Sequence, residues 1–536
     1  SILSFLSLSF PFSSCVRMGA STPPPKKRIF FSYPALPEIK LCWIVTICTV
    51  AYGWSKVYQI SQKYKWDIGD QASVQELPLI GKRFKDEANW EWSRWSPYAF
   101  AYLPIYFGHV LLFNIGSKIL PDNVFSLVYT LASMAAVCYA YTPILVLYSF
   151  LQGTLIFITS RIIRNKFAVW ISSLPILYFV MHETHKVHAD VFLVLLFVSY
   201  SILSYISFCL ETTDGAVRPE DDTQFKQYLR MFFYTFYQPY LVSLIILYPD
   251  FERQIKERST QQRDWKSIII FALRIAFWWG VTELVLHFFY FETLLLHTEQ
   301  VARVDKTTFV ALGMTLGQFF HLKYVVIFGL PSLFARFDNM QPMAGPMCLA
   351  RVCLYSHVWR SFDRGLYQFF KKYIFIPICQ PDFTLWKKIF GVFISYGFVL
   401  LWHGFYHHNI VWILLNIAAL FMEMTTKALY GQPAVRDFIN ARFSALTIRR
   451  ILGWLQIIPF AFGLYSNFYF LAGSKVGGMY VDRVLVEETL PCRPFFLYLI
   501  TIGYFYTQTC MEVDRWNEQK TLEEEKMTKK KSQKSQ

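Results

Sequence analysis

Charge is what this sequence has least of. Asp, Glu, Lys and Arg make up 17% of 536 residues, against about a quarter in soluble chains, and that deficit excludes a string of soluble domains. The ten cysteines are irregularly spaced. Several (Cys42, Cys48, Cys138 and Cys209) fall inside apolar runs, which excludes a secreted disulfide framework. No Asn-x-Ser/Thr sequon occurs, so glycosylation assigns no loop to a compartment. A basic stripe is missing too: the formal charge is +15, but Lys and Arg gather at the ends of apolar runs. That placement answers to cytosolic loops and anionic membrane lipids and excludes nucleic acid as the partner. Repeated halves, common in transporters, are also absent.

What is abundant is apolar and aromatic sequence, 54% and 19% of the chain. It comes in runs of roughly 17–25 residues, the length a helix needs to cross a bilayer. The pattern predicts an all-α polytopic membrane protein with about ten spans and one or two re-entrant pieces. Runs lie near 41–57, 97–116, 123–141, 142–160, 191–210, 227–249, 267–297, 308–330, 389–402, 409–424, 450–472 and 494–512, with a weaker one at 167–181. The run at 267–297 is long enough to break or tilt, and 372–377 is too short to span before Pro377.

The domain reading is simple. Residues 1–40 form a leader, with 1–17 read as upstream sequence, Met18 as the start and a basic stretch at 21–28. A single membrane domain covers 41–512, and 513–536 is a charged cytosolic tail. Residues 60–96 are polar, and Trp90, Trp92 and Trp95 among charges suit an interfacial, amphipathic location. His182, His185 and His188 beside Glu183 and Asp190 resemble metal ligands, but the spacing fits no standard pattern and reads as a solvated loop. Glu283 and Glu292 lie inside an apolar run and are expected to face the interior. A helix end explains Glu292 equally well.

Chemistry concentrates between residues 346 and 424. His403 closes a stretch, 389–402, with no charged residue. Desolvation there favours the neutral, proton-accepting imidazole, and a general base and a hydrogen-bonded core histidine are both open readings. Asp363 stands between Arg360 and Arg364, where a structural ion pair competes with a functional carboxylate.

Trp359-Arg360-Ser361-Phe362-Asp363-Arg364-Gly365-Leu366, followed forty residues on by Trp402-His403-Gly404, resembles the signature of the membrane-bound O-acyltransferase superfamily. More narrowly the chain resembles its Hedgehog-acyltransferase branch. The likeness runs from Glu91–Trp95, through 324–333, to 466–477. It departs from that branch at 237–248, where bulky apolar residues replace a His-Asn-Gly-Pro-like element. The resemblance implies a fold of helices around a central tunnel and catalytic roles for His403, Asp363 and Asn467. It also implies substrate contacts at Trp359, Arg360 and Trp402, with Cys348 as ligand to a haem b iron.

The activity it implies is transfer of palmitate from palmitoyl-CoA to the N-terminal cysteine of a secreted signalling protein in the endoplasmic reticulum or Golgi membrane. Rival readings keep the fold with a lipid or hydroxyl acceptor, or make the chain a transporter or a regulatory relative.

Overall fold

A backbone inside lipid must satisfy its own hydrogen bonds, and helices do this within one segment. The computed structural model describes residues 34–67, 72–77, 80–213, 223–349, 354–489 and 491–534. Of the leader expected at 1–40, residues 1–33 lie outside them. α1 (Ile39–Tyr64) is followed by an antiparallel hairpin, β1 (Ala72–Leu77) and β2 (Gly81–Asp86). Five helices come next: α2 (Trp90–Ile119), α3 (Asp122–Ala140), α4 (Pro143–Ile163), α5 (Lys166–His182) and α6 (Val191–Thr212). Short α7 (Gln224–Thr235) and α8 (Tyr248–Glu257) precede α9 (Trp265–Leu286), α10 (Phe291–Leu296) and α11 (Lys306–Phe337). Then come α12 (Tyr355–Ser361), α13 (Arg364–Phe370), α14 (Leu385–His403) and α15 (His407–Gly431). α16 (Pro433–Arg442), α17 (Ala445–Leu455), α18 (Ile457–Tyr480) and α19 (Pro494–Lys534) follow.

Among the described residues nine helical stretches are long and apolar enough to cross a membrane, 445–489 counting as one. This is a multi-pass, all-α membrane architecture with one small hairpin. Side-chain caps fix several helix starts: Asn89 accepts from the Trp92 N–H at 2.9 Å and Asp305 from the Thr308 N–H at 3.0 Å, each satisfying an otherwise orphaned amide.

Two sequence-based expectations change. The span expected at 227–249 is instead α7, a turn at Gln238–Leu241 and α8. Most of its residues are buried inside the protein, so their apolar character reflects packing and not lipid contact. A polar network holds the turn. The Gln238 N–H donates to the Tyr129 hydroxyl at 2.9 Å, and Tyr102 donates to Gln238 Oε1 at 2.6 Å. Asp338 accepts from Tyr237 at 2.6 Å and Asn114 at 2.7 Å, and it meets His109 Nε2 at 2.7 Å. Such groups are costly to bury unpaired, and here each finds a partner.

The aromatic patch is the second correction. Trp92 and Trp95 are buried, their rings 5.5 Å apart, and the Trp92 indole donates to Glu283 Oε1 at 3.0 Å. Only Trp90 of the three is exposed. α19 continues unbroken to Lys534, so the charged stretch from 513 is helical.

The long run at 267–297 breaks after Leu286. Both its glutamates turn inward: Glu283 also pairs with Lys85 at 2.8 Å, and Glu292 accepts from Asn89 at 2.6 Å. At 372–377 the chain makes a π-helical turn and a short helix ending at Cys379. In the histidine-rich loop, half-buried Glu183 pairs with Lys186 at 3.1 Å, and the Asp190 N–H donates to His188 Nδ1.

Candidate active site

A cavity of about 490 Å³ lies between α1, α11, α12, α14, α15, α18 and α19, within the roughly 300–1,000 Å³ common for ligand sites. His403, Asp363, Asn467, Trp359 and Trp402 all line it. The chain thus gathers side chains separated by up to about a hundred residues around one cavity.

His403 is the last residue of α14. The helix stops there because Gly404 adopts φ +89°, a left-handed conformation that glycine adopts without strain. A β-carbon at Gly404 would also meet the Tyr406 ring at 2.7 Å. The His403 ring stands edge-on to Trp412 (centroids 5.3 Å) and to Phe470 (5.1 Å), which stack on each other at 4.2 Å. Its ring nitrogens have no protein hydrogen-bond partner among the described residues, and the ring is accessible from the cavity it lines. Asn467, on α18, likewise lines the cavity without a protein partner among the described residues. Polar groups in an apolar chamber are normally paired. Two left open toward one space mark a place for ligand.

Asp363 sits between α12 and α13 and caps the latter, its Oδ1 accepting from the Leu366 N–H at 2.8 Å. Burial pushes its carboxyl up to about 6, opposed by the backbone amides of Leu366 and Gly365. No hydrogen bond joins Asp363 to His403 among the described residues. The expected Arg360 pairing is not seen either: Arg360 Nε donates to the Ser356 carbonyl at 2.7 Å, and the guanidinium is not part of the cavity wall. Gly365 explains how closely this junction packs, since a β-carbon there would lie 2.0 Å from the Ile245 carbonyl oxygen.

Residues that sequence reasoning passed over hold this wall in place. Trp359 Nε1 donates to Asn416 Oδ1 on α15 at 3.1 Å, and its ring meets Tyr396 edge-on at 4.9 Å. Glu423, buried on the same helix, accepts from the Ser356 N–H at 3.0 Å and from the Ser356 hydroxyl, and it pairs with Lys427. The Tyr355 hydroxyl meets Ser466 Oγ at 2.9 Å. On α11 Tyr324, whose ring lies 5.3 Å from Phe362, donates to Glu91 Oε1 at 2.8 Å, with Lys323 2.6 Å from the other oxygen. The turn-to-turn spacing of Asn416 and Glu423 on one helix was the available signal: two polar residues within an apolar run.

Cys348 is half-buried beside Leu349, which lines the cavity, and the Met347 N–H donates to the Ser361 carbonyl at 2.9 Å. No cluster of three or more His, Cys, Asp or Glu suited to a metal ion occurs among the described residues. A haem held by one axial thiolate does not require such a cluster.

Residues 145–466 match the MBOAT family, the membrane-bound O-acyltransferases. Over 467 residues, 84% of this chain and 93% of the relative, the sequence is 24% identical to the mouse protein-cysteine N-palmitoyltransferase HHAT. It is 29% identical over 314 residues, 58% of this chain and 61% of the relative, to protein-cysteine N-palmitoyltransferase Rasp of Drosophila melanogaster. It is also 26% identical over 289 residues, 51% of this chain and 44% of the relative, to the membrane-bound O-acyltransferase gup1 of Schizosaccharomyces pombe. The chain belongs to the membrane-bound O-acyltransferase family.

Proposed function

We propose that this chain transfers palmitate from palmitoyl-CoA to the N-terminal cysteine amine of a secreted signalling protein of the Hedgehog class. The names of the mouse and fly relatives support the donor group and the acceptor. The observation that carries the reading is the unpaired imidazole of His403 facing the same apolar cavity as Asn467 and Asp363.

The acceptor nitrogen attacks the thioester carbonyl, the new C–N amide bond forms, and the C–S bond breaks to release the CoA thiol. His403 accepts the proton that the attacking amine loses and returns it to the departing sulfur. Asn467 donates to the carbonyl oxygen as charge develops there. Asp363 orients the donor side of the site. Trp359 and Trp402 wall the acyl group, and Arg360 meets the CoA end only by leaving Ser356. Alignment of amine and carbonyl supplies the larger part, roughly 7–11 kcal/mol of barrier, against about 10²–10⁴ in rate for a general base. A closed apolar chamber serves alignment first.

The same reading makes residues 41–512 one membrane domain in the endoplasmic reticulum membrane, surrounded by lipid, with a cytosolic C-terminus. Acyl-CoA then enters from the cytosol and the acceptor from the lumen. Cys348 would hold a haem iron through its thiolate, and no step of the transfer runs through it. Cys348→Ala is expected to erase Soret absorbance from purified protein.

Purified protein offered labelled palmitoyl-CoA with a Cys-initiated peptide, a glycerolipid and a serine-hydroxyl peptide tests the reading. Label on the N-terminal cysteine alone, abolished in folded His403→Ala, is expected. Label on lipid with none on peptide overturns the acceptor, and undiminished turnover in His403→Ala overturns the base.

A further inference from the structure

Five glycines line the cavity: Gly53, Gly313, Gly317, Gly463 and Gly503. Three of them are there because helices or rings come close. A β-carbon would meet Met314 Cε at 2.6 Å from Gly53, the Phe468 ring at 1.7 Å from Gly313 and the Tyr355 ring at 2.6 Å from Gly463. At Gly503 it would make ordinary contact with Ile457 at 3.4 Å. Gly317 is different: nothing lies within 4 Å of a β-carbon built there. A side chain at 317 would therefore enter the cavity itself.

Its position along the cavity can be read from α11. Phe320, three residues on, stacks against Phe362 at 5.2 Å and lies 6.2 Å from Phe470, whose ring touches His403. Phe320 thus belongs to the aromatic layer around the reacting centre. From Phe320 the cavity wall follows α11 back to Thr307 and forward to Phe328. At 1.5 Å per residue these arms measure roughly 20 Å and 12 Å along the axis. The longer arm carries Val310, Ala311 and Met314, the last two packed against Gly53 of α1. Gly317 stands at its mouth, about one helical turn from the aromatic layer.

We propose that Gly317 determines the length of acyl chain this cavity accepts, by leaving the mouth of the long apolar arm open to the chain's first methylenes. This deepens the acyltransferase reading and rests on it. Between Thr307 and Gly317 the residues α11 gives to that arm are apolar, and Gln318 beside the mouth already has its Oε1 engaged by the Trp54 indole at 2.6 Å, so the arm suits a long fatty tail. Filling position 317 closes the mouth near the carbonyl end and leaves room only for short chains.

The test is a ladder of acyl-CoA donors from C2 to C16, with a Cys-initiated peptide as acceptor. Wild type, Gly317→Ala, Gly317→Val and Gly317→Leu are assayed in parallel with Gly280→Leu. Gly280 is exposed on α9, outside the cavity and with nothing near its β-carbon, so its variant controls for a leucine replacing a helical glycine. The preferred length is expected to shorten stepwise with side-chain size, the Leu variant working best at C8 or below. The C16 to C8 ratio should fall by about 10–200-fold, the range set by a single misfitting methylene in an apolar pocket. Gly280→Leu should keep the wild-type profile. An unchanged ladder in Gly317→Leu overturns the proposal, as does a uniform loss at every length in protein that melts like wild type. If Gly317→Leu does not fold, the Ala and Val variants decide by the same ratio. Wild type that uses no acyl-CoA overturns the acyltransferase reading, and this proposal with it.

Discussion

Asn409 holds His403 in place through the backbone: its side-chain amide donates to the His403 carbonyl at 2.7 Å and to the Gly404 carbonyl at 3.0 Å. These are the carbonyls a helix C-terminus leaves without intrahelical partners, at the point where the chain reverses between α14 and α15. The imidazole's direction is therefore set by a residue of the following helix. Asn409 is buried and is not part of the cavity wall.

Asn409→Ala is expected to lower kcat by roughly 10–100-fold, since a misplacement near 1 Å can cost about 10²-fold. KM for acyl-CoA should hardly move, because Asn409 has no place to touch the donor. A rise in KM with kcat intact would count against a positioning role.

The fold class was legible because period, length and scarcity of charge are properties of short stretches of chain. Placement of His403 at the end of an apolar run was legible for the same reason. Tertiary facts were not. The apolar residues at 227–249 look the same whether they face lipid or protein, and only the network around Gln238 and Asp338 separates the cases. Trp92 and Trp95 look interfacial until Glu283 supplies a buried acceptor for an indole N–H. Arg360 sits three residues before Asp363, yet its helix turns it back to Ser356.

Gly365 and Gly317 should respond in opposite ways to alanine. At Gly365 the added carbon runs into the Ile245 carbonyl, a backbone atom that cannot rotate away. Overpacking of this kind costs about 1–3 kcal/mol, and it displaces the cap that Asp363 makes on α13. Gly365→Ala is expected to lower both the thermal midpoint in detergent and the turnover. Gly317→Ala should melt at or above the wild-type temperature, since alanine is the better helix former. Equal midpoints for the two variants would disprove the contrast.

Glu423 anchors the wall that carries Trp359. Its carboxylate accepts from both the amide and the hydroxyl of Ser356, at the start of α12. Glu423→Ala leaves those donors and Lys427 without their acceptor, at a cost of about 1–3 kcal/mol. The expected signature is a lowered unfolding midpoint together with a raised KM for acyl-CoA, as Trp359 loses its fixed place. Asn416→Ala should raise that KM with a smaller loss of stability, since it releases the indole alone. If both variants bind donor like wild type, Trp359 does not contact it.

The hairpin end of the molecule should show a pH dependence of its own. Asp86 is buried at the tip of β2 and accepts from the Thr293 hydroxyl and from the amides of Ala88, Glu292 and Thr293. Burial outweighs these bonds and pushes its carboxyl from 3.8 up to about 6. Burial likewise raises Glu292 from 4.5 to about 7, opposed by Lys323 and reinforced by the charge of Asp86. In both cases the folded chain keeps a proton that the unfolded chain has already released, so the stabilising contribution is whole below about pH 4. It is lost as pH climbs through the raised values. The difference in unfolding midpoint between wild type and Asp86→Asn/Glu292→Gln should therefore shift against wild type from pH 4 to 7 and level off above that. A difference that stays constant across this window, or that moves in wild type's favour, would show that these carboxyls ionise in the folded chain at least as freely as they do in water.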